Sequence, residues 1–584
     1  MDNSIDVEQF RDLFNGRVIV IDDLPPGAAR ELAASVNRPA GPDDATLRTD
    51  AEFDALFNGI REKAGSDVGE PVLRLVDENG TVTVAARLLD RYRAASIGKE
   101  QFFGAPMYVV SLSGWPAAEM RPEEPVVATG GARIALWRTD PADQRRVPDP
   151  GASGVLYTSA TFSLVNSGNR TKYAPKRSWK VDVEPGDDDD RIVGMARLNL
   201  KSMYNDPSQM REGLAWALFR RAGVPAARHT YARLAINDGY QGLYSLIEQV
   251  DRAFLRERFG ANNRGNLYKM YCGDVGCATL ERRVGTDGDD SGRQYFTPGH
   301  PDLTYRLKTN EDDRSANGYD DLAQFIRVIN GVGRPGGGER FNTDSYRAAV
   351  EGILNVRAFL RWAGLNLLLG SWDNYFATPA NYYLYNSGRR GAAKQFMATP
   401  YFTFIPWDYD NCLGIDYFDT RWQYTDLLDW PDNTRSYHGG KGTSRIPLVQ
   451  NLLANHDFAQ YYLDHLEHML DTDFTTAAFR ARMGTPDGPG LWQRVIPSAY
   501  LEADFPNSPP FTGRQFANHE VYLAADQQYE LRHGDTHVAG IIHYVRMRFD
   551  SAKAQVAKLR AAGSARGGSG PTFPAVMEPL PPAP

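Results

Sequence analysis

Short runs in which apolar and polar residues alternate dominate the chain after Met107. Tyr108 to Leu112, Arg133 to Trp137, Ala160 to Val165 and Ser178 to Val183 each read as a strand, divided by Gly, Pro, Asn and Asp turn signals. They predict a small antiparallel sheet. The period then changes: Met210, Leu214, Ala217 and Leu218 form one apolar stripe of a helix. Its expected cap is Asp206, with Pro207 at the first helical position, Gln209 three residues after the cap, and Gly223 as the stop. Period two returns in Tyr231 to Ile236 and Gln241 to Val250, and the Asn237-Asp238-Gly239 turn between them predicts a β-hairpin. One helix is thus set among strands.

From Asp251 onward helical patterns prevail. Tyr346 to Leu369 is apolar on nearly every face, as a helix buried within a lobe requires, and it delivers the chain to Gly370-Ser371-Trp372-Asp373. Two short strands follow, Tyr382 to Tyr385 and Tyr401 to Ile405. Near the end Val545, Phe549, Ala552, Val556 and Leu559 repeat at helical spacing, before a Pro/Gly-rich tail expected to be disordered. The first hundred residues carry short helical patterns and one strand-like run, Arg17 to Asp22, and read as an accessory region.

Composition narrows the class. By length alone the 584 residues suggest about four domains, with two or three equally reasonable. A hydrophobic share of 42% with 24% charged residues is that of a folded soluble protein. The net charge of −8, from 65 basic and 73 acidic residues, gives no footprint for nucleic acid. Three cysteines make no disulfide framework; Cys272 and Cys277 are close enough to pair but are expected to be free thiols, and companions for a zinc site are lacking. Asp2, Asp6, Glu8 and Arg11 interrupt any signal-peptide core, and the apolar run at Leu365 to Leu369 is too short to span a membrane, so a cytoplasmic location is expected.

Several motifs fail on physical grounds. Gly331, Gly333 and Gly336 imitate a dinucleotide fingerprint, but helical spacing precedes them and Pro335 removes an amide from the cradle. Gly439 to Thr443 lacks the first glycine of a phosphate loop and has Gly442 where Ser or Thr belongs. The Asp187 to Asp190 run reads as a solvated loop rather than a calcium site. No paired-histidine zinc motif or GxSxG elbow is present.

What survives is a set of oxygen-bearing side chains. Asp373 follows the buried helix, Asn381 opens one strand, Asp408 follows the next, and Asp410 stands two residues on. Hard cations such as Mg²⁺ take carboxylate and amide oxygens, and a nearby third carboxylate can orient a hydroxyl nucleophile. The order acid, Asn, strand, acid is that of phosphoryl-transfer sites in protein kinases.

The flanking sequence is more specific. Gly168-Asn-Arg-Thr171, Lys176 to Lys180, Leu198 to Arg211, Gly242 to Asp251, Asn266 to Lys269, Leu307 to Glu311, Trp372 to Tyr375, Asn381 to Tyr385 and Pro406 to Asp410 together resemble the CotH kinase family, in order, from about 160 to 415. The resemblance implies an α+β, two-lobed, protein-kinase-like fold. Residues 106–250 would form a mixed, β-rich N-lobe and 251–562 a mainly helical C-lobe, after an accessory region at 1–105 and before a disordered tail at 563–584. It implies binding of ATP and Mg²⁺, with Mn²⁺ as a substitute, and phosphorylation of Ser or Thr on a protein substrate, with spore-coat or surface association.

Residue by residue, the resemblance makes Asp373 catalytic and Asn381 and Asp408 metal ligands, with Asp410 assisting or bracing the loop. Lys180, within an expected strand, is the first choice for phosphate contact and Lys176 the second. Arg211 either pairs with a site carboxylate or faces water. Glu248 either contacts nucleotide or forms a salt bridge at the hairpin end. The same residues are compatible with AMP transfer, with glutamylation, or with a vestigial site in a surface-binding module. No HRD, DFG or VAIK string is present, and the Gly- and Asp-rich stretch from Cys272 to His300 has no counterpart in the pattern.

Overall fold

The computed structural model describes residues 18–22, 72–77, 80–85 and 99, and most of 101–564. Within that last range 117–123, 152–153, 169–175, 184–191, 260–262, 274–275, 297–303, 334–339, 389–394, 418, 429–445, 485–489, 503–529, 531–533 side chains and 534–535 lie outside the description. So do the expected Asp187–Asp190 loop, the turn at 169–171, the Gly439 to Thr443 stretch and the tail beyond 564.

The chain divides into two units. One comprises Met1–Phe102, Val250–Arg264 and Arg389–Lys394. It holds an antiparallel sheet of β1 (Val18–Asp22), β2 (Val72–Asp77) and β3 (Gly80–Ala85). The strand expected at Arg17 to Asp22 is therefore present. The other comprises Phe103–Gln249, Gly265–Gly388 and Gln395–Pro584, and it contains every candidate site residue.

The second unit is built on a nine-stranded sheet. Its strands are β4 (Tyr108–Ser113), β5 (Val126–Val127), β6 (Arg133–Arg138), β7 (Tyr157–Ser159), β8 (Ser163–Ser167), β9 (Ser178–Asp182), β10 (Arg197–Lys201), β11 (His229–Ile236) and β12 (Gly239–Ile247). They lie in the order β5-β8-β9-β10-β12-β11-β4-β6-β7. The small antiparallel sheet expected from periodicity is thus larger, and it is mixed: β4 pairs parallel with β11, so Tyr108 sits opposite Ala232. The strand expected from Ala160 begins only at Ser163.

The hairpin of β11 and β12 closes through Asn237 and Asp238, whose φ values are +49° and +64°. Two successive left-handed residues define the turn whose twist matches that of paired strands, which is why Asn and Asp stand there.

The first helix, α1, spans Arg211–Arg221 and starts later than its sequence suggests. Asp206 still satisfies its first amide, but from farther back: Oδ2 accepts from Arg211 N at 2.9 Å, while Oδ1 accepts from Ser208 N, ahead of the helix, at 2.9 Å. Gln209, at φ +56°, turns the chain between them. The expected stop holds, since Gly223 at φ +64° lets its own N–H reach Arg220 O and that of Val224 reach Phe219 O, each at 3.0 Å.

In the same unit β13 (Asn266–Met270) is followed by a two-stranded ribbon, β14 (Cys272–Gly273) and β15 (Gly276–Cys277). Cys272 and Cys277 are joined there as a disulfide, correcting the expectation of free thiols. The tight ribbon sets the two residues directly opposite each other, so the local turn brings together what composition alone left apart. β16 (Tyr305–Leu307), β17 (Tyr382–Asn386) and β18 (Phe402–Pro406) complete a four-stranded sheet in the order β16-β13-β17-β18.

The apolar stretch from Tyr346 to Leu369 is two helices rather than one. After α2 (Arg252–Phe259), which belongs to the first unit, and α3 (Asp320–Ile329) come α4 (Asp344–Glu351) and α5 (Val356–Leu369). The break exists because Phe402 N bonds Ile353 O at 2.7 Å and Asn355 N bonds Phe402 O at 2.8 Å, hooking the linker onto β18. Asn355 then caps α5 by accepting from Ala358 N. The long C-terminal helix, Ile541–Ser564, matches the spacing from Val545 to Leu559.

Candidate functional site

The site is assembled around the end of α5. Gly370, at φ +58°, stops the helix by letting its own N–H reach Leu367 O and that of Ser371 reach Asn366 O, both at 3.2 Å. Asn366 is fully buried and holds two loops at once. Its amide donates to Ser371 O at 3.0 Å, and its Oδ1 accepts from Asn374 at 3.0 Å and from the Tyr409 hydroxyl at 3.2 Å. The Trp362 indole donates to the same tyrosine hydroxyl at 2.6 Å. Leu413 N reaches Leu369 O at 2.7 Å, and the Trp372 indole reaches Ile415 O at 2.9 Å. A dry, hydrogen-bonded hub on α5 thus carries both the Asp373 loop and the 408–413 loop.

The candidate residues sit on the loops that this hub holds and on the strand ends beside them. Asn381 Nδ2 donates to the backbone oxygen of Asp373 at 2.9 Å. Asn411 Nδ2 donates to Asp373 Oδ2 at 3.3 Å, and Asn411 is itself held by Asn205 at 2.8 Å. Tyr382 pairs with Pro406 across β17 and β18, so Asn381 and Asp408 leave the same end of that hairpin. Both adopt left-handed backbone, at φ +51° and +65°, which turns each residue sharply away from its strand. Asp410 lies within the electrostatic field of both Asp408 and Asp373.

Two residues that the motif reading did not assign complete the cluster. Lys201, at the end of β10, reaches Asp408 Oδ1 at 3.1 Å, with side chains only 12% and 27% exposed. Burial works against its charge, but Asp408, Glu212 and Asp410 hold its ammonium above the usual range. Glu212, on α1, is buried, and its Oε1 accepts from Tyr409 N at 3.4 Å. Burial, then the charge of Asp408, push its carboxyl to about 7. Burial, then the charges of Asp408 and Glu212, raise that of Asp410 well above the carboxylate range. In β10 the alternation of buried Leu198 and Leu200 assigns Lys201 to the opposite face, a signal equally shared by ordinary surface lysines.

The remaining sequence candidates have other partners. Lys176 is buried and pairs with Glu502 at 2.9 Å. Arg211 neither meets a site carboxylate nor faces water: it is fully buried, pairs with Asp206 at 2.5 Å and donates to Leu413 O. Glu248 pairs with Arg228 at 2.8 Å beside the hairpin. Lys180 lies on β9, where burial and the charges of Lys269 and Arg197 lower its ammonium to about 8.

A divalent cation suits this donor set. Burial and the charge of Asp408 raise Glu212, and burial with the charges of Asp408 and Glu212 raises Asp410, so a cation held here would relieve a crowding of negative charge. Among the described residues no three His, Cys, Asp or Glu side chains form a chelating group by themselves. Magnesium does not require one, because it is commonly held by one or two carboxylates together with substrate phosphates. Asn381, Asp408 and Asp410 are the residues that would hold it.

Comparison with known proteins agrees with the sequence resemblance. A family model described as CotH kinase protein matches residues 165–484, more than half of the chain. The inner spore coat protein H of Bacillus subtilis is 26% identical over 289 residues, covering 49% of this chain and 66% of that protein. Two proteins of Rhizopus delemar, invasin CotH2 and invasin CotH3, are 22% and 21% identical, covering 50% and 54% of this chain but 43% and 47% of their own. The chain therefore spans less than two thirds of each of these relatives. With the matched segment containing Asp373, Asn381, Asp408, Lys201 and Glu212, this chain belongs to the CotH kinase protein family.

Proposed function

We propose that the chain is an ATP- and Mg²⁺-dependent kinase that moves the γ-phosphoryl group of ATP to a Ser or Thr hydroxyl of a protein. The observation that carries this reading is the Lys201–Asp408 pair, set beside Asp373, Asn381 and Asp410 at the meeting of β10, β17, β18 and the end of α5. Such a cluster supplies both signs of charge that a metal–triphosphate needs. The nine-stranded sheet would serve as the nucleotide-clamping lobe and the α5-centred region as the second lobe.

In this reading Asn381, Asp408 and Asp410 offer oxygens to the metal, which when bound neutralises charge on the phosphates. Lys201 holds Asp408 in place, and Lys180 offers its ammonium to phosphate oxygens. Asp373, fixed by Asn411 and by its own backbone contact to Asn381, accepts the proton of the acceptor hydroxyl. Orientation and electrostatics supply most of the acceleration in such reactions.

The disulfide supports a setting outside a reducing cytosol, in keeping with relatives named for a spore coat and for invasion. Among the described residues no helix is long and apolar enough to cross a membrane.

The test is mass spectrometry of the purified chain, alone and with candidate acceptor proteins, after incubation with ATP and Mg²⁺, alongside transfer from α- and γ-labelled ATP. Transfer of γ-label alone, with an added phosphate, is expected. Transfer of α-label identifies AMP transfer instead. No transfer and no Mg²⁺-dependent thermal shift with ATP would leave a binding module.

A further inference from the structure

A second feature of the same region is a row of cations on facing strands. Lys269 lies on β13 opposite Arg306 of β16 on one side and Tyr383 of β17 on the other. Its ammonium stands 5.1 Å from the ring centre of Tyr271, 5.6 Å from that of Tyr383 and 5.8 Å from that of Trp407. Lys201 stands over the same Trp407 ring at 5.8 Å, and Trp407 directly precedes Asp408. Arg306 stacks on Tyr271 at 4.0 Å. Lys308 directly follows β16, its N–H reaching Leu267 O of β13 at 2.7 Å, and Lys180, on β9 of the nine-stranded sheet, feels the charges of both Lys269 and Lys308.

Only Lys201 of these lysines has a carboxylate at salt-bridge distance among the described residues. Asp182, the acid nearest in charge to Lys180, is taken by Arg197 at 2.6 Å. Burial, then the charge of Lys201, push the Lys269 ammonium down to about 7, against the opposing pull of Asp408. Aromatic faces offset part of this cost, since a cation over a ring is attracted to its π cloud. They do not remove the repulsion among lysines from two separate sheets. A fold that gathers such cations beside a metal–carboxylate cluster is arranged for an anion with several charged groups in line.

We propose that Lys269, flanked by Lys180 and Lys308, forms a rail that binds a chain of phosphates, with Lys269 as its central contact. The nucleotide's triphosphate and free inorganic polyphosphate share that chemistry, and where the ligand is ATP the inference rests on the proposed kinase reading. Lys269 is then a binding residue in addition to Lys180, on the opposite sheet.

The experiment is thermal shift and isothermal titration of the full chain with three probes: inorganic tripolyphosphate, ATP with Mg²⁺, and AMP. Tripolyphosphate and ATP are expected to bind at least tenfold more tightly than AMP. Lys269→Met, which keeps an unbranched side chain one heavy atom shorter and removes its charge, is expected to weaken both at least tenfold and AMP little. Lys269→Arg should restore much of the loss, and the exposed Lys308→Met provides a smaller, same-direction effect where Lys269→Met fails to fold. ATP binding unchanged in Lys269→Met and Lys308→Met overturns the rail and leaves the kinase reading intact. Tripolyphosphate binding without ATP binding supports the rail and removes the kinase reading. AMP binding as tight as tripolyphosphate, or no binding of any probe, overturns the rail.

Discussion

Replacing Glu212 by Gln probes the electrostatics of the site without adding or removing bulk. The folded protein holds this carboxyl at about 7 against an ordinary 4.5, through burial first and the charge of Asp408 second. Between those two values the unfolded chain has released the proton and the folded chain has kept it. The folded state therefore binds more protons than the unfolded state, and stability falls as pH rises from 4.5 through 7. A difference of this size corresponds to about 3 kcal/mol lost by the time Glu212 is charged. Gln keeps an acceptor for Tyr409 N and carries no charge, so the variant escapes this loss. Urea unfolding in metal-free buffer, followed by tryptophan fluorescence from about pH 4.5 to about pH 8, gives the comparison as a shift in midpoint at constant slope. The variant should match wild type at the acid end and exceed it by up to about 3 kcal/mol at the alkaline end. Equal pH dependence in the two proteins, or a variant less stable at the alkaline end, would refute the reasoning.

Other perturbations separate site residues from structural ones. Asp408→Asn should abolish the Mg²⁺-dependent thermal shift with ATP and lower any transferase turnover on the order of a hundredfold or more, with far-UV circular dichroism unchanged. Lys176→Met should cost about 3–5 kcal/mol in urea unfolding, because it strands the buried Glu502 carboxylate, yet leave ATP affinity near wild type in the cold. Gly370→Ala should cost about 2 kcal/mol or more, since the residue is left-handed and its Cβ would run into the Tyr544 hydroxyl. The same variant should lower ATP affinity by disturbing the Asp373 loop, measurable by titration.

How far the sequence could be read depended on how local each cause was. The turn at Asn237 and Asp238 was legible because two adjacent residue types determine it. The Asp206 cap was legible as a capping residue, but its distance from the helix was not, since its carboxylate serves Ser208 and Arg211 through a turn at Gln209. An unbroken apolar pattern hid the gap between α4 and α5, because the break is imposed by β18, far along the chain. The mixed sheet was hidden for the same reason: alternation shows that Tyr108 to Leu112 is a strand and not that β11 lies beside it.

In the site, Asp373, Asn381 and Asp408 could be named from their segments, and the structure brings them to one end of one hairpin and the loop beside it. Lys201 and Glu212 lay within or next to a recognised segment but carried no distinguishing pattern, because their meaning comes from Asp408, roughly two hundred residues away. Lys180 ranked above Lys176 because it falls within a strand pattern, but the burial of Lys176 against Glu502, more than three hundred residues on, was not legible.

The central claim is that Asn381, Asp408 and Asp410 hold a divalent cation against a triphosphate that Asp373 faces. A crystal structure with a non-hydrolysable ATP analogue and Mn²⁺, with anomalous scattering recorded at the manganese edge, examines it directly. The account predicts a manganese peak in contact with Asn381 and Asp408 oxygens and with the analogue's phosphates. Nucleotide bound elsewhere, or manganese bound without those two side chains, would contradict it.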